Sequence, residues 1–118
     1  MPRGMIVDDA DIMRLRLKEM LNGKYEIVAE ARDGEEAMLL YDKHKPDFVT
    51  LDITMPKMNG LQVLESLIKK YPEAKIVIVS AVGQKQLVFQ ALSAGAKDFI
   101  VKPFEAERVR VAIDRLFN

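Results

Sequence analysis

The sequence predicts an α/β domain built on one five-stranded parallel sheet, and three observations carry that prediction. Strand-like and helix-like segments alternate from end to end of the 118 residues. The strand-like segments are short apolar runs rich in β-branched residues, such as Ile76-Val77-Ile78-Val79, which is the pattern of strands buried on both faces. Four of these runs also end in polar groups. Asp8 and Asp9 follow Met5-Ile6-Val7, Asp52 follows Phe48-Val49-Thr50-Leu51, Ser80 follows the Ile76 run, and Lys102 follows Phe99-Ile100-Val101. Ligands of open parallel sheets bind just beyond the carboxyl ends of the strands. Three carboxylates, a hydroxyl and an ammonium are therefore expected at one sheet edge.

Each element has its own justification. Gly4 to Val7 reads as the first strand, with a start weakened by Pro2 and Gly4. Asp11 to Leu21 reads as a helix with Met13, Leu17, Met20 and Leu21 on one face, ended by Asn22-Gly23. Glu26 to Ala29 is the second strand. Asp33-Gly34 turns the chain into a helix from Glu35 to His44, which Pro46 stops. Asp47 to Leu51 is the third strand, and Met55 to Gly60 a loop with a proline and an Asn-Gly turn signal. A helix from Leu61 to Tyr71 ends at Pro72, and Lys75 to Ser80 is the fourth strand. The fourth helix spans Gln84 to Ala94 with Gly95 as its C-cap, and Asp98 to Val101 is the fifth strand. Glu105 to Leu116 closes the chain as a helix with Val109, Ala112, Ile113 and Leu116 inward. Five βα units fill residues 1–118 as a single expected domain.

Composition narrows the function classes. With 49% hydrophobic and 31% charged residues, the chain has a globular profile. Its formal net charge of zero gives no electrostatic reason to expect nucleic acid or membrane binding. The absence of cysteine excludes disulfides and thiolate metal sites. No apolar stretch approaches the ~20 residues of a membrane span, and no signal peptide opens the sequence, so a cytoplasmic location is expected.

The carboxylates Asp8, Asp9 and Asp52 repel one another unless a cation or hydrogen bonds compensate. An all-oxygen donor set suits a hard cation, Mg2+ first and Mn2+ as the substitute. An aspartate beside such a metal is able to act as a nucleophile and form an acyl phosphate. Lys102 would then hold one phosphoryl oxygen as a point charge, and Ser80 would donate a hydrogen bond to another. Asp11 and Asp33 read instead as helix N-caps or solvated turn residues.

Val7-Asp8-Asp9, Asp52, Met55-Pro56-Lys57-Met58-Asn59-Gly60, Ser80-Ala81, Gly95-Ala96 and Lys102-Pro103-Phe104 together resemble the CheY-like receiver domains of two-component response regulators. The resemblance covers essentially the whole chain. It implies a flavodoxin-like (βα)5 doubly wound fold with strand order 2-1-3-4-5. It also implies that Asp52 accepts a phosphoryl group from a phosphohistidine on a sensor histidine kinase or a histidine phosphotransfer protein. Asp9 and Asp52 would bind Mg2+ directly and Asp8 through water, with the backbone carbonyl of Thr54 completing the protein ligands. Lys102-Pro103 corresponds to the family's cis junction, and Ser80 with Phe99 to its switch pair. Phe99 lacks the hydroxyl of the tyrosine often found there, and Gly4 stands where an apolar strand residue is usual. Thr54 and Val82 would flank the line of water attack on the acyl phosphate. The apolar Val82 has no group to orient that water, so moderate to slow self-hydrolysis is expected. On this reading the chain catalyses only its own Mg2+-dependent phosphorylation and dephosphorylation.

The fourth helix carries two apolar stripes, Leu87, Ala91 and Ala94 on one and Val88, Phe89 and Leu92 on the other. One stripe is enough to pack on a sheet, so the second is expected to be surplus and covered by a partner. The resemblance implies a downstream target protein on the surface of the fourth helix, fifth strand and fifth helix, with Val88, Phe89, Leu92 and Phe99 at its centre. His44 reads as a basic helix-end residue rather than a phosphohistidine. The seven methionines read as adaptable packing.

Two other classes remain to compare. A haloacid-dehalogenase-type phosphatase also forms an aspartyl phosphate, but its Asp-x-Asp pattern is not met by Asp52-Ile53-Thr54, which lacks the general acid. A flavodoxin would have to place phosphate against Asp8-Asp9, which repel it. The leading expectation is a stand-alone regulator whose output is protein binding, because Leu116-Phe117-Asn118 ends without a linker. The alternative is a receiver from a longer regulator with a DNA-binding or enzymatic output domain.

Overall fold

The computed structural model describes residues 1–54 and 59–118; the expected loop residues Met55 to Met58 lie outside the described residues. Strands β1 (Arg3–Val7), β2 (Glu26–Ala31), β3 (Phe48–Asp52), β4 (Ile76–Ser80) and β5 (Asp98–Val101) alternate with helices α1 (Asp11–Leu21), α2 (Gly34–His44), α3 (Gly60–Lys70), α4 (Lys85–Ser93) and α5 (Ala106–Arg115). All pairings are parallel and the order is β2-β1-β3-β4-β5, as the resemblance implies. Every residue of β3 and β4 is buried, which is why their sequences are continuous apolar runs rather than alternating ones.

The pleat divides the core in two. On one face Ile6, Phe48, Val77 and Ile100 pack against Leu17 and Leu21 of α1 and Val109, Ala112 and Ile113 of α5. On the other, Met5, Val7, Val49, Leu51, Ile76 and Ile78 pack against α2, α3 and α4. Because β3 lies beside β1 on the side away from β2, the chain winds outward in both directions from the β1–β3 pair. That pair is the switch point, the place in the strand order beyond whose carboxyl ends open parallel sheets bind ligands.

Local differences from the sequence reading have physical causes. β2 continues to Ala31 because Glu30 and Ala31 keep pairing with Ile6 and Val7, although neither residue favours strands by itself. Asp11 is not the N-cap of α1: Ala10 holds that position without a side-chain cap bond, and Asp11 stands inside the first turn, paired with Arg14. Asp33 does cap α2, accepting from the Glu36 amide at 2.8 Å. Ala94 takes the C-cap of α4, and Gly95 follows at φ +120°.

Two glycines mark close approaches. A Cβ on Gly4 would stand 2.2 Å from Cζ of the fully buried Phe48, so the missing side chain of β1 makes room for that ring. A Cβ on Gly60 would stand 2.4 Å from the Ile53 Cα, so glycine lets α3 start directly against the end of β3. Among the described residues, no helix is long and apolar enough to cross a membrane.

Candidate functional site

Parallel register pairs Val7 with Leu51, so Asp8 and Asp52 leave neighbouring strands side by side. Both are nearly sealed from solvent, Asp8 at 2% and Asp52 at 4% exposure. Asp8 Oδ1 accepts the Ala10 amide at 2.9 Å, whereas Oδ2 is buried without a hydrogen-bond partner. Asp52 Oδ1 accepts from both the amide and the hydroxyl of Thr54 at 2.8 Å, and Oδ2 accepts from Lys102 Nζ at 2.5 Å. Among the described residues, one ammonium bonds to this pair of buried carboxylates, and it does so at Asp52.

The electrostatics follow from that imbalance. Burial is the largest influence on Asp8 and raises its pKa from 3.8 to about 6. The Ala10 amide pulls it down, the Asp52 charge pushes it up, and Lys102 pulls it down again. Among the described residues, Lys102 is the ammonium bonded to this carboxylate pair, and Asp8 Oδ2 is the carboxylate oxygen left without a hydrogen bond.

That deficit is the test of whether the residues fit a metal. The donors are hard oxygens, one of them is a buried carboxylate oxygen without a partner, and Asp9 stands half-buried in the next position. This chemistry fits a divalent cation that uses few carboxylates and keeps several waters. Among the described residues, no group of three or more His, Cys, Asp or Glu side chains closes around a metal position. Thr54, two residues after Asp52, bonds to the Asp52 carboxylate with its amide and hydroxyl and stands at the same edge.

Lys102 reaches Asp52 from the end of β5. Its amide donates to the Ser80 carbonyl at 2.8 Å, and the Lys102-Pro103 peptide is cis. Ser80 is fully buried at the end of β4, and its hydroxyl has no hydrogen-bond partner. The pleat explains this. Asp8, Asp52 and Lys102 continue the face of Ile6, Thr50 and Ile100, whereas Ser80 continues that of Ile76 and Ile78. The hydroxyl is thus at the expected edge but not bonded to the acid cluster. Phe99, partly buried, packs on the Ser80 face.

Val88, Phe89, Leu92 and Phe99 do meet, lining a cavity of ≈ 320 Å³ that Ser80 and Val101 also border. The surplus-stripe argument that selected them needs correction, however. Val88 is buried at 8% exposure and Leu92 packs on the core, while Phe89 alone of the three is well exposed, at 59%. α4 lies against both β4 and α3, so residues from both stripes find cover. Val82 is exposed at 74%, and His44 sits in the last turn of α2.

The sequence reading missed Arg14. It is buried at 8% exposure and donates from Nη1 to the Asp8 carbonyl at 2.6 Å. The signal was its spacing: Arg14, Leu17 and Leu21 fall at i, i+3 and i+7, on the buried stripe of α1. Thr50, another buried hydroxyl without a partner, was read only as part of the β3 run.

Known proteins share this arrangement of sequence and fold. The family model of the response regulator receiver domain matches residues 5–114. The chain is 51% identical over 112 residues to the chemotaxis protein CheY of Listeria monocytogenes, covering 94% of each protein. It is 49% identical over 118 residues to the chemotaxis protein CheY of Bacillus subtilis, covering 98% of each. It is also similar to a chain of the CheX-CheY-BeF3-Mg2+ complex from Borrelia burgdorferi. That similarity has a TM-score of 0.92 and 38% identity, and covers 98% of this chain and 89% of the other.

Proposed function

Because this chain belongs to the response regulator receiver domain family, we propose that it works as a CheY-like phosphorylation switch with Asp52 as the phosphoacceptor. The observation that carries the assignment is the buried Asp52 carboxylate, held by Lys102 at 2.5 Å next to an Asp8 oxygen with no partner. An Asp52 oxygen attacks the phosphorus of a phosphohistidine on a kinase or phosphotransfer protein. The P–O bond forms as the P–N bond breaks, and the imidazole nitrogen keeps the electron pair and takes a proton. Hydrolysis ends the phosphorylated state: a water oxygen bonds to phosphorus as the P–O bond to Asp52 breaks, the carboxylate leaves with the electron pair, and the water proton passes to solvent.

Asp8, Asp9, Asp52 and the Thr54 carbonyl are the groups that would hold Mg2+, with Mn2+ as the substitute. Bound there, the cation supplies charge neutralisation for the phosphoryl oxygens. Lys102, freed from its ion pair once Asp52 is an acyl phosphate, holds a phosphoryl oxygen. The Thr54 amide and hydroxyl, which fix Asp52 Oδ1, orient the carboxylate before attack.

Ser80 and Phe99 form the switch in this reading. The unbonded Ser80 hydroxyl gains a partner by moving to the phosphoryl group, and the Phe99 ring fills space vacated beside it. The ≈ 320 Å³ cavity already bordered by both residues supports this, since a ring can move there without forcing the core apart. A phosphoryl group that prefers one state tenfold supplies about 1.4 kcal/mol of bias. The surface of α4, β5 and α5 around Phe89 and Phe99 is the proposed docking site for a downstream protein. The complex of the Borrelia CheY with CheX gives a precedent for a protein partner of this fold. The near-complete coverage of the CheY relatives supports a stand-alone role, and the same relatives support a cytoplasmic one.

The test is amide chemical-shift mapping with beryllofluoride and Mg2+. Changes should run from Asp52 through Ser80 and Val88 to Phe99. Changes confined to the residues around Asp8, Asp9 and Asp52 would leave a phosphate-binding protein without this switch.

A further inference from the structure

The turn between β1 and α1 carries Asp8 and Asp9, yet α1 has no side-chain cap to fix where that turn ends. Ala10 occupies the N-cap position with extended backbone angles and no capping side chain. Arg14 does the fixing from inside the helix. Nη1 donates to the Asp8 carbonyl at 2.6 Å, Nε to Glu30 at 3.3 Å on β2, and Nη2 to Asp11 in the first turn. The guanidinium thus ties the end of β1, the end of β2 and the start of α1 together while almost excluded from water. Only arginine presents donors in a rigid fork that can serve three acceptors at once. Lys18 adds a second, more exposed tie to Glu30 at 3.0 Å.

From this geometry we propose that Arg14 is a positioning residue for the divalent-cation site, holding the main chain at Asp8 so that both carboxylates of the turn are presented before the metal arrives. The inference rests on the receiver reading, because it assigns Arg14 a task only if that edge binds a cation. Among the described residues, Arg14 bonds to the Asp8 carbonyl, Glu30 and Asp11, and not to the Asp8 or Asp52 carboxylates. It acts through the Asp8 carbonyl, and the Asp8 side chain is steadied separately by the Ala10 amide. Removing a group that orients a metal ligand commonly lowers affinity by about 10- to 100-fold.

The experiment is a Mg2+ titration of wild type and variants, followed by amide shifts without phosphodonor, alongside thermal melts. Arg14→Met keeps the length and apolar stem, and should weaken Mg2+ binding about tenfold or more. Arg14→Lys keeps the charge but not the fork and should fall between the two; it decides the matter if Arg14→Met does not fold. Leu21→Val trims the buried far end of α1, where Leu21 is fully covered, and should lower the melting temperature without changing Mg2+ affinity. Equal Mg2+ affinity in wild type and the folded Arg14 variants would overturn the proposal and leave the receiver reading intact. Equal weakening by Leu21→Val would overturn it too, as the effect would then be global. No Mg2+ binding by wild type would overturn both.

Discussion

Asp8→Asn should make the metal-free protein more stable at neutral pH while disabling its site. Asp8 is 2% exposed and its pKa is raised from 3.8 to about 6, mainly by burial. A carboxyl with a raised folded-state pKa binds its proton more tightly in the native protein than in the unfolded chain. Its contribution to stability is therefore greatest at low pH, declines as pH rises from about 4 to about 6, and is fully lost above that window. At about 1.4 kcal/mol per pH unit, the ionised Asp8 costs about 3 kcal/mol at pH 7.5. Asparagine removes the charge and keeps an oxygen for the Ala10 amide, and its NH2 group offers Asp52 a donor. A gain of about 1–3 kcal/mol is expected, or about 4–12 °C in Tm for a chain of this size. Thermal melts by circular dichroism, in EDTA at pH 4.5 and pH 7.5, measure it. The variant's advantage should be large at pH 7.5 and shrink to roughly a third at pH 4.5, where the native wild-type Asp8 is protonated but the unfolded carboxyl is still largely ionised. Added Mg2+ should raise the wild-type Tm more than that of the variant. An Asp8→Asn protein no more stable than wild type at pH 7.5, or an advantage that grows as pH falls, would mean that ionised Asp8 does not destabilise the metal-free fold.

Lys102→Ala should remain folded by circular dichroism, at a cost of about 1–3 kcal/mol for leaving Asp52 Oδ2 without its donor, and should lose the amide-shift response to beryllofluoride. Global unfolding would instead make Lys102 a core electrostatic element. Gly4→Ala places a Cβ against the Phe48 ring and should destabilise by about 1–3 kcal/mol in denaturant titrations; an unchanged midpoint would show that the ring moves aside freely.

The architecture was legible because its signals are local. Continuous β-branched runs such as Ile76 to Val79 identify buried strands, and Asp33 with Pro46 brackets α2. The polar groups of the site were legible for a related reason: a sheet gathers its strand ends, so Asp8, Asp52 and Lys102 had to converge once their strands were parallel. What stayed hidden depended on contacts distant in sequence. Gly4 reads as a weak strand start until the Phe48 ring explains it. Arg14 shares the buried stripe of α1, but its task shows only when the Asp8 carbonyl and Glu30 are seen around it. The stripes of α4 could not be ranked, because periodicity counts apolar faces but not the neighbours that cover them, and Val88 turned out to be covered. Nor could the pleat's separation of Ser80 from the acid cluster be read from strand ends alone.

Asp52 as the phosphoacceptor is tested most directly by intact-mass analysis after incubation with acetyl phosphate and Mg2+. Wild type should gain one phosphoryl group. Asp52→Asn should gain none, and EDTA should abolish labelling of wild type, because the buried carboxylates would otherwise repel the incoming group. Labelling of Asp52→Asn to the wild-type extent would contradict the account.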